Sequence, residues 1–172
     1  MEIDFIFDAA CPWSYIGKQR LDQAIAERPE ISPRINWVPF LLNPELSESG
    51  ADRAFFLTNK IGSEARIKRM HDTLSEAGKS AGIVFNFDII QRIPNTVIAH
   101  RFIQMANLAE KGGEAVDQIF ESYFCEGVDI SDPSELQVIS EKIGLDGKDI
   151  TRRLETDEFA DLVFRENARA HR

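Results

Sequence analysis

Ile3-Asp4-Phe5-Ile6-Phe7-Asp8-Ala9-Ala10-Cys11-Pro12-Trp13-Ser14-Tyr15-Ile16-Gly17 is the stretch on which the architecture turns. Residues 3–7 form a short apolar and aromatic run, the pattern of a buried strand. Asp8-Ala9-Ala10 is a brief connector, and Pro12 suits the first turn of a helix, where its missing N–H costs nothing. Trp13, Ile16, Leu21, Ala24 and Ile25 then recur at roughly helical spacing up to Pro29. Residues 34–39 alternate like a second strand. Strand, helix and strand within about forty residues predict a βαβ unit with parallel strands and a right-handed crossover.

Beyond Phe40 the pattern changes. Asn43-Pro44 through Gly50 reads as a polar loop, and a helix is expected from Ser63-Glu64 to about Gly82. Val84-Phe85-Asn86-Phe87 reads as a short extended piece. Asn95, after Pro94, is the expected N-cap of a helix reaching about Ala109. Val116, Ile119, Phe120, Tyr123 and Phe124 stripe the next helix, which Gly127 can close. Asp132-Pro133-Ser134-Glu135 supplies a cap, a Pro at the first helical position and a Glu at the third, and Gly144 ends that helix. A short helix is expected over 147–153, and Thr156-Asp157-Glu158 is expected to open the last one. The order is βαβ followed by a block of helices, with no internal repeat.

The 172 residues fit one domain. Acidic side chains outnumber basic ones 29 to 20, for a formal charge of −9. That balance argues against non-specific binding to nucleic acid or to an anionic membrane. No apolar run approaches the roughly 18 residues of a transmembrane helix, and the opening strand leaves no basic n-region of a signal peptide. Two cysteines 114 positions apart make no disulfide framework. A soluble cytoplasmic protein is the expectation, in which a thiol is either core filler or chemistry.

Cys11 falls at the carboxyl end of the first strand, where open α/β sheets gather ligands and catalysis. At a helix N-terminus a sulfur meets unpaired N–H groups and the positive end of the macrodipole, which favour thiolate over thiol. Ser14 can turn its hydroxyl towards that sulfur. Trp13 is expected to shield one side of the thiol and to contact substrate; Tyr15 packs. Asp8 reads equally as a buried acid tuning proton transfer and as a loop cap. Cys125 reads more readily as a small residue packed beside Tyr123 and Phe124 than as a partner for Cys11. His71, His100 and His171 stand at no metal-ligand spacing, so no metal site is expected, and His100 reads as a structural residue bonded within the helical domain rather than an acid–base group.

Asp8 to Gly17, with its Cys11-Pro12-Trp13-Ser14 turn, resembles the active-site turn of the DsbA family of thioredoxin-fold proteins, and within it the FrnE-like branch. That branch is related to 2-hydroxychromene-2-carboxylate isomerases and kappa-class glutathione transferases. Pro94-Asn95-Thr96 with Ala99-His100-Arg101, and Tyr123-Phe124-Cys125-Glu126-Gly127-Val128-Asp129-Ile130, extend the resemblance over nearly the whole chain. It implies an α/β thioredoxin-like fold with a large all-helical insertion. The half-domain would occupy 1–42, the insertion 43–155, and residues 156–172 would be a helix returning to the thioredoxin-like part. It implies Cys11 as the attacking thiol, Ser14 beside it, and Pro12, Trp13 and Asn95 as substrate contacts.

Two departures from the family matter. The usual turn is Cys-x-x-Cys, and Ser14 cannot attack a mixed disulfide as a second cysteine would. The last proline is Pro133, so the cis-proline loop and closing strands of the family have no counterpart here, and the C-terminal strands of the sheet are expected to be missing. The reading is a thiol–disulfide oxidoreductase acting through Cys11, with a thiol or disulfide substrate, protein or glutathione. No tightly bound cofactor is expected beyond glutathione itself, and a homodimer is one arrangement open to the chain. The rivals are a glutathione-dependent isomerase or transferase and a catalytically weakened peptide- or partner-binding module.

Overall fold

The computed structural model describes residues 1–171. Strand β1 (Glu2–Phe7) leads through the Cys11 turn into α1 (Pro12–Ala26) and back to β2 (Arg34–Pro39). The strands run parallel in the register Glu2↔Arg34 to Phe7↔Pro39, as the βαβ pattern requires. This register puts Phe5 opposite Trp37 on one face, with centroids 5.6 Å apart, and Phe7 lies 6.1 Å from the same indole. These rings carry the sheet into the helical block, where Phe120 stands 5.8 Å from Phe7. On the other face Asn36 donates to Asp4 at 2.9 Å.

The helical block comprises α2 (Arg53–Ile61), α3 (Glu64–Ser80), α4 (Val97–Leu108), α5 (Gly112–Phe124), α6 (Pro133–Lys142), α7 (Gly147–Leu154) and α8 (Ala160–Ala170). Its core holds the expected stripe of Val116, Ile119, Phe120, Tyr123 and Phe124, together with Phe102, Ile103, Leu136 and Ile139, all buried. Helix α8 packs on β2 and α4, and its Arg169 reaches Asp4 at 3.7 Å. No helix among the described residues is long and apolar enough to cross a membrane.

Several local expectations are corrected. Helix α2 lies in a stretch to which the sequence pattern assigned no element; Phe56, Leu57 and Ile61 share its half-buried side, but none of its residues is fully buried. It starts where Asp52 accepts from the Phe55 amide at 2.8 Å. Just before it, β3 (Ala51–Asp52) pairs antiparallel with β4 (Arg92–Ile93), two residues each and too short for alternation to appear. Gly50 is forced there: its φ is +67°, and a Cβ would lie 2.2 Å from the Ile93 carbonyl oxygen. The expected extended piece at 84–87 belongs to no strand, and Phe87–Ile89 forms one 3-10 turn. Helix α4 is capped at Thr96 rather than Asn95, whose carboxamide oxygen accepts from Val97 N at 3.0 Å.

Helix α8 opens at Ala160, not at Thr156. Arg101 is the reason. Its buried guanidinium donates to the carbonyls of Glu158 (2.7 Å), Leu154 (3.3 Å), Arg153 (3.4 Å) and Thr156. It thereby caps α7 and holds 156–158 in a turn, and Phe159 (φ +64°) reverses the chain into α8.

Candidate active site

Cys11 occupies the N-cap of α1 in extended conformation (φ −93°, ψ 114°), with Pro12 at the first helical position. Its carbonyl accepts the amides of Ser14 (3.1 Å) and Tyr15 (3.2 Å), which closes the first turn. No side-chain hydrogen bond caps the helix, so the sulfur is not consumed as an acceptor there. Cys11 is partly exposed and unoxidised. Trp13 is 53% exposed beside it, and Leu42 is 46% exposed. Ser14 stands one turn into α1, with no hydrogen bond from its hydroxyl to Cys11 among the described residues.

Behind the turn lies Asp8, 3% exposed. One carboxylate oxygen accepts from Ala10 N at 2.7 Å. The other accepts from Leu42 N at 2.7 Å and from the Thr96 hydroxyl at 3.1 Å. Its own carbonyl accepts from Cys11 N at 3.0 Å. Burial raises the Asp8 carboxyl above its ordinary value, and the three donors and the nearby Lys60 ammonium oppose that rise. Both roles weighed for Asp8 therefore reduce to one firm geometric fact: it ties the thiol turn to the end of β2 and to the start of α4. Lys60 itself donates to Asn43 Oδ1 at 2.7 Å.

Asn95 holds the neighbouring loop, donating to the Leu46 carbonyl at 2.8 Å. Its neighbour Thr96 makes the contact to Asp8. Leu42, Thr96 and Lys60 were not singled out from the sequence, because they join Asp8 across 34, 88 and 52 positions and no local pattern marks them.

Cys125 is half-buried at the C-cap of α5, where burial raises its thiol and the Tyr15 hydroxyl faces it. Tyr15 stacks on Phe120 at 5.0 Å, so this second sulfur belongs to an aromatic layer. His100 is fully buried edge-on to Phe7, centroids 5.0 Å apart. Neither ring nitrogen makes a hydrogen bond of normal geometry, and burial holds its pKa down at about 3, with the Phe40 backbone near enough to pull the other way. A neutral ring with no bond to Cys11 is not assembled as a Cys–His pair. No cluster of metal-ligating side chains occurs among the described residues.

With this geometry in place, the comparisons are informative. A model of the DSBA-like thioredoxin domain matches residues 2–172. A probable DsbA oxidoreductase from Streptomyces coelicolor is 23% identical and superposes with a TM-score of 0.89, over 99% of this chain and 75% of that one. A 2-hydroxychromene-2-carboxylate isomerase (18% identical, TM-score 0.71) covers 99% of this chain and 79% of its own. A cytosolic disulfide reductase from Pseudomonas aeruginosa, solved with glutathione, is 13% identical with a TM-score of 0.71, over 99% and 78%. The structural likenesses are to the fold, and the sequence match spans the thiol turn and the helical block alike. The chain belongs to the DSBA-like thioredoxin domain family.

Proposed function

We propose that this protein exchanges thiols and disulfides through Cys11 alone. The Cys11 thiolate attacks one sulfur of a disulfide R–S–S–R′, forming Cys11–S–S–R and releasing R′–S⁻. Because position 14 is serine, an external thiol completes the cycle: its thiolate attacks the mixed disulfide, takes R, and returns Cys11 as thiolate. Electrons balance in both steps, since each breaks one S–S bond and forms another. Glutathione serves as this external thiol, a co-substrate rather than a resident cofactor. Such a cycle suits a reducing cytoplasm, where glutathione is the ambient thiol.

The observation that carries this reading is the placement of Cys11 at the N-cap of α1, partly exposed beside the exposed indole of Trp13. The sulfur stands at the first turn of a helix and partly open to solvent, where an incoming disulfide can reach it. The indole and Leu42 offer an apolar flank to an incoming disulfide.

Incubation with oxidised glutathione followed by intact-mass measurement tests the proposal. One glutathionyl group is expected on the wild-type chain, mapped to Cys11, reversed by reduced glutathione and absent from Cys11→Ala. A chain that binds glutathione reversibly in both forms, with no adduct, would instead support the isomerase or transferase reading, in which the turn activates a bound glutathione thiolate; the serine in the turn favours that rival.

A further inference from the structure

A cleft of about 510 Å³ lies away from Cys11, which is not among its lining residues. It lies between the start of α4, the turn after α7 and the first half of α8. Its apolar surface comes from Val97, Ile98, Leu154, Ala160 and Phe164, the last half-exposed. Glu48, Glu155 and Asp157 stand on its walls, all exposed to solvent. The basic groups nearby are engaged elsewhere. Arg153 pairs with Asp149 and Glu158, Arg152 pairs with Asp149, and the buried Arg101 guanidinium is spent on backbone carbonyls. The cleft thus sets three carboxylates against one buried guanidinium, over an apolar floor.

The cleft also shares a segment with the thiol turn. Asn95 and Val97 line it, and Thr96 between them bonds Asp8, three residues before Cys11. Small-ligand sites run from roughly 300 to 1,000 Å³, so this volume takes a few residues of extended chain. We infer that the cleft binds a cationic, apolar segment of a polypeptide substrate, one large apolar side chain flanked by Lys or Arg. The cations face Glu48, Glu155 and Asp157, and the apolar side chain packs on Phe164 and Ile98. The inference rests on the thiol-exchange reading and deepens it: the cleft selects a protein disulfide over a small one, and glutathione passes it by.

A fluorescein-labelled, cysteine-free peptide alternating Lys or Arg with Leu or Phe is the probe, with a Glu-substituted copy as its control. Binding is followed by fluorescence anisotropy on the full chain. The cationic peptide should bind and the acidic one should not. Glu155→Lys with Asp157→Lys should weaken binding about tenfold, as loss of complementary charge does at a half-exposed site. Phe164→Ser, which alters no charge, should weaken it roughly fivefold. Charge reversal at Glu27 and Glu30, beyond α1, should leave it unchanged. Equal binding of both peptides, or one affinity across all variants, would overturn the inference.

Adduct formation with oxidised glutathione is measured on the same proteins. The cleft variants should keep it within about twofold, because small disulfides do not use the cleft. If wild-type protein forms no adduct yet the peptide binds as described, the cleft stands as a binding site and the thiol-exchange reading falls.

Discussion

At the scale of single residues, His100 carries the clearest consequence. Its ring is fully buried with both nitrogens unbonded, and its folded pKa is about 3 against an ordinary 6.5. The sign follows from linkage: the unfolded chain takes up a proton below pH 6.5, and the folded chain refuses it until near pH 3. Stability is therefore whole above the unfolded value and drains away as pH falls from there. Between pH 7.5 and 4.5 the loss from this residue is about 2–3 kcal/mol. His100→Leu lacks it. Urea unfolding at the two pH values should show the variant losing less stability than wild type by that amount, and equal losses would mean that the buried ring is not the source. The sequence pointed to a structural His100 bonded within the helical domain; the ring is buried, but its nitrogens are unbonded and it packs on Phe7 of β1, a neighbour that no local pattern reveals.

At the scale of elements, Gly17 of α1 and Gly112 of α5 behave oppositely. Gly17 sits inside α1, and nothing lies within 4 Å of where a Cβ would be. Gly17→Ala should stabilise by roughly 0.5–1 kcal/mol, because alanine loses less backbone freedom on entering a helix. At Gly112, which opens α5, an added Cβ would meet Asn107 Oδ1 at 2.6 Å and the Trp37 ring at 2.9 Å. Gly112→Ala should destabilise by roughly 1–3 kcal/mol as the indole shifts against Phe5 and Phe7. Denaturant midpoints check both signs. Helix α6, with its Asp132 cap and Gly144 stop, was readable from sequence with near-correct ends, and α5 by its apolar stripe without a start. Those set by distant groups were not: α8 begins four residues later than its Thr-Asp-Glu signal because Arg101, some 55 positions earlier, claims the Thr156 carbonyl. Helix α2 was missed for another reason: its half-buried side carries only Phe56, Leu57 and Ile61, a short stripe over nine residues.

At the scale of the molecule, one carboxylate and one guanidinium join parts far apart in sequence. Asp8 bonds the first strand's end to Leu42 and to Thr96, and Arg101 bonds α4 to the α7–α8 connection. Lys18, buried on α1, adds a third tie, pairing with Asp22 at 2.6 Å and with Asp117 on α5. The thiol turn was plain in the first seventeen residues and the βαβ unit in the first forty or so; the clasps were not, since each joins distant parts of the chain. This arrangement also gives the two sulfurs different surroundings. Cys11 stands at the solvent-reached end of α1, and Cys125 lies half-buried against Tyr15 with its thiol raised by burial. Competitive alkylation of the native chain by limiting iodoacetamide at pH 7, read by peptide mapping, puts the central claim to its most direct test. The account predicts that Cys11 is labelled at least about tenfold faster than Cys125; equal labelling, or faster labelling of Cys125, would contradict it.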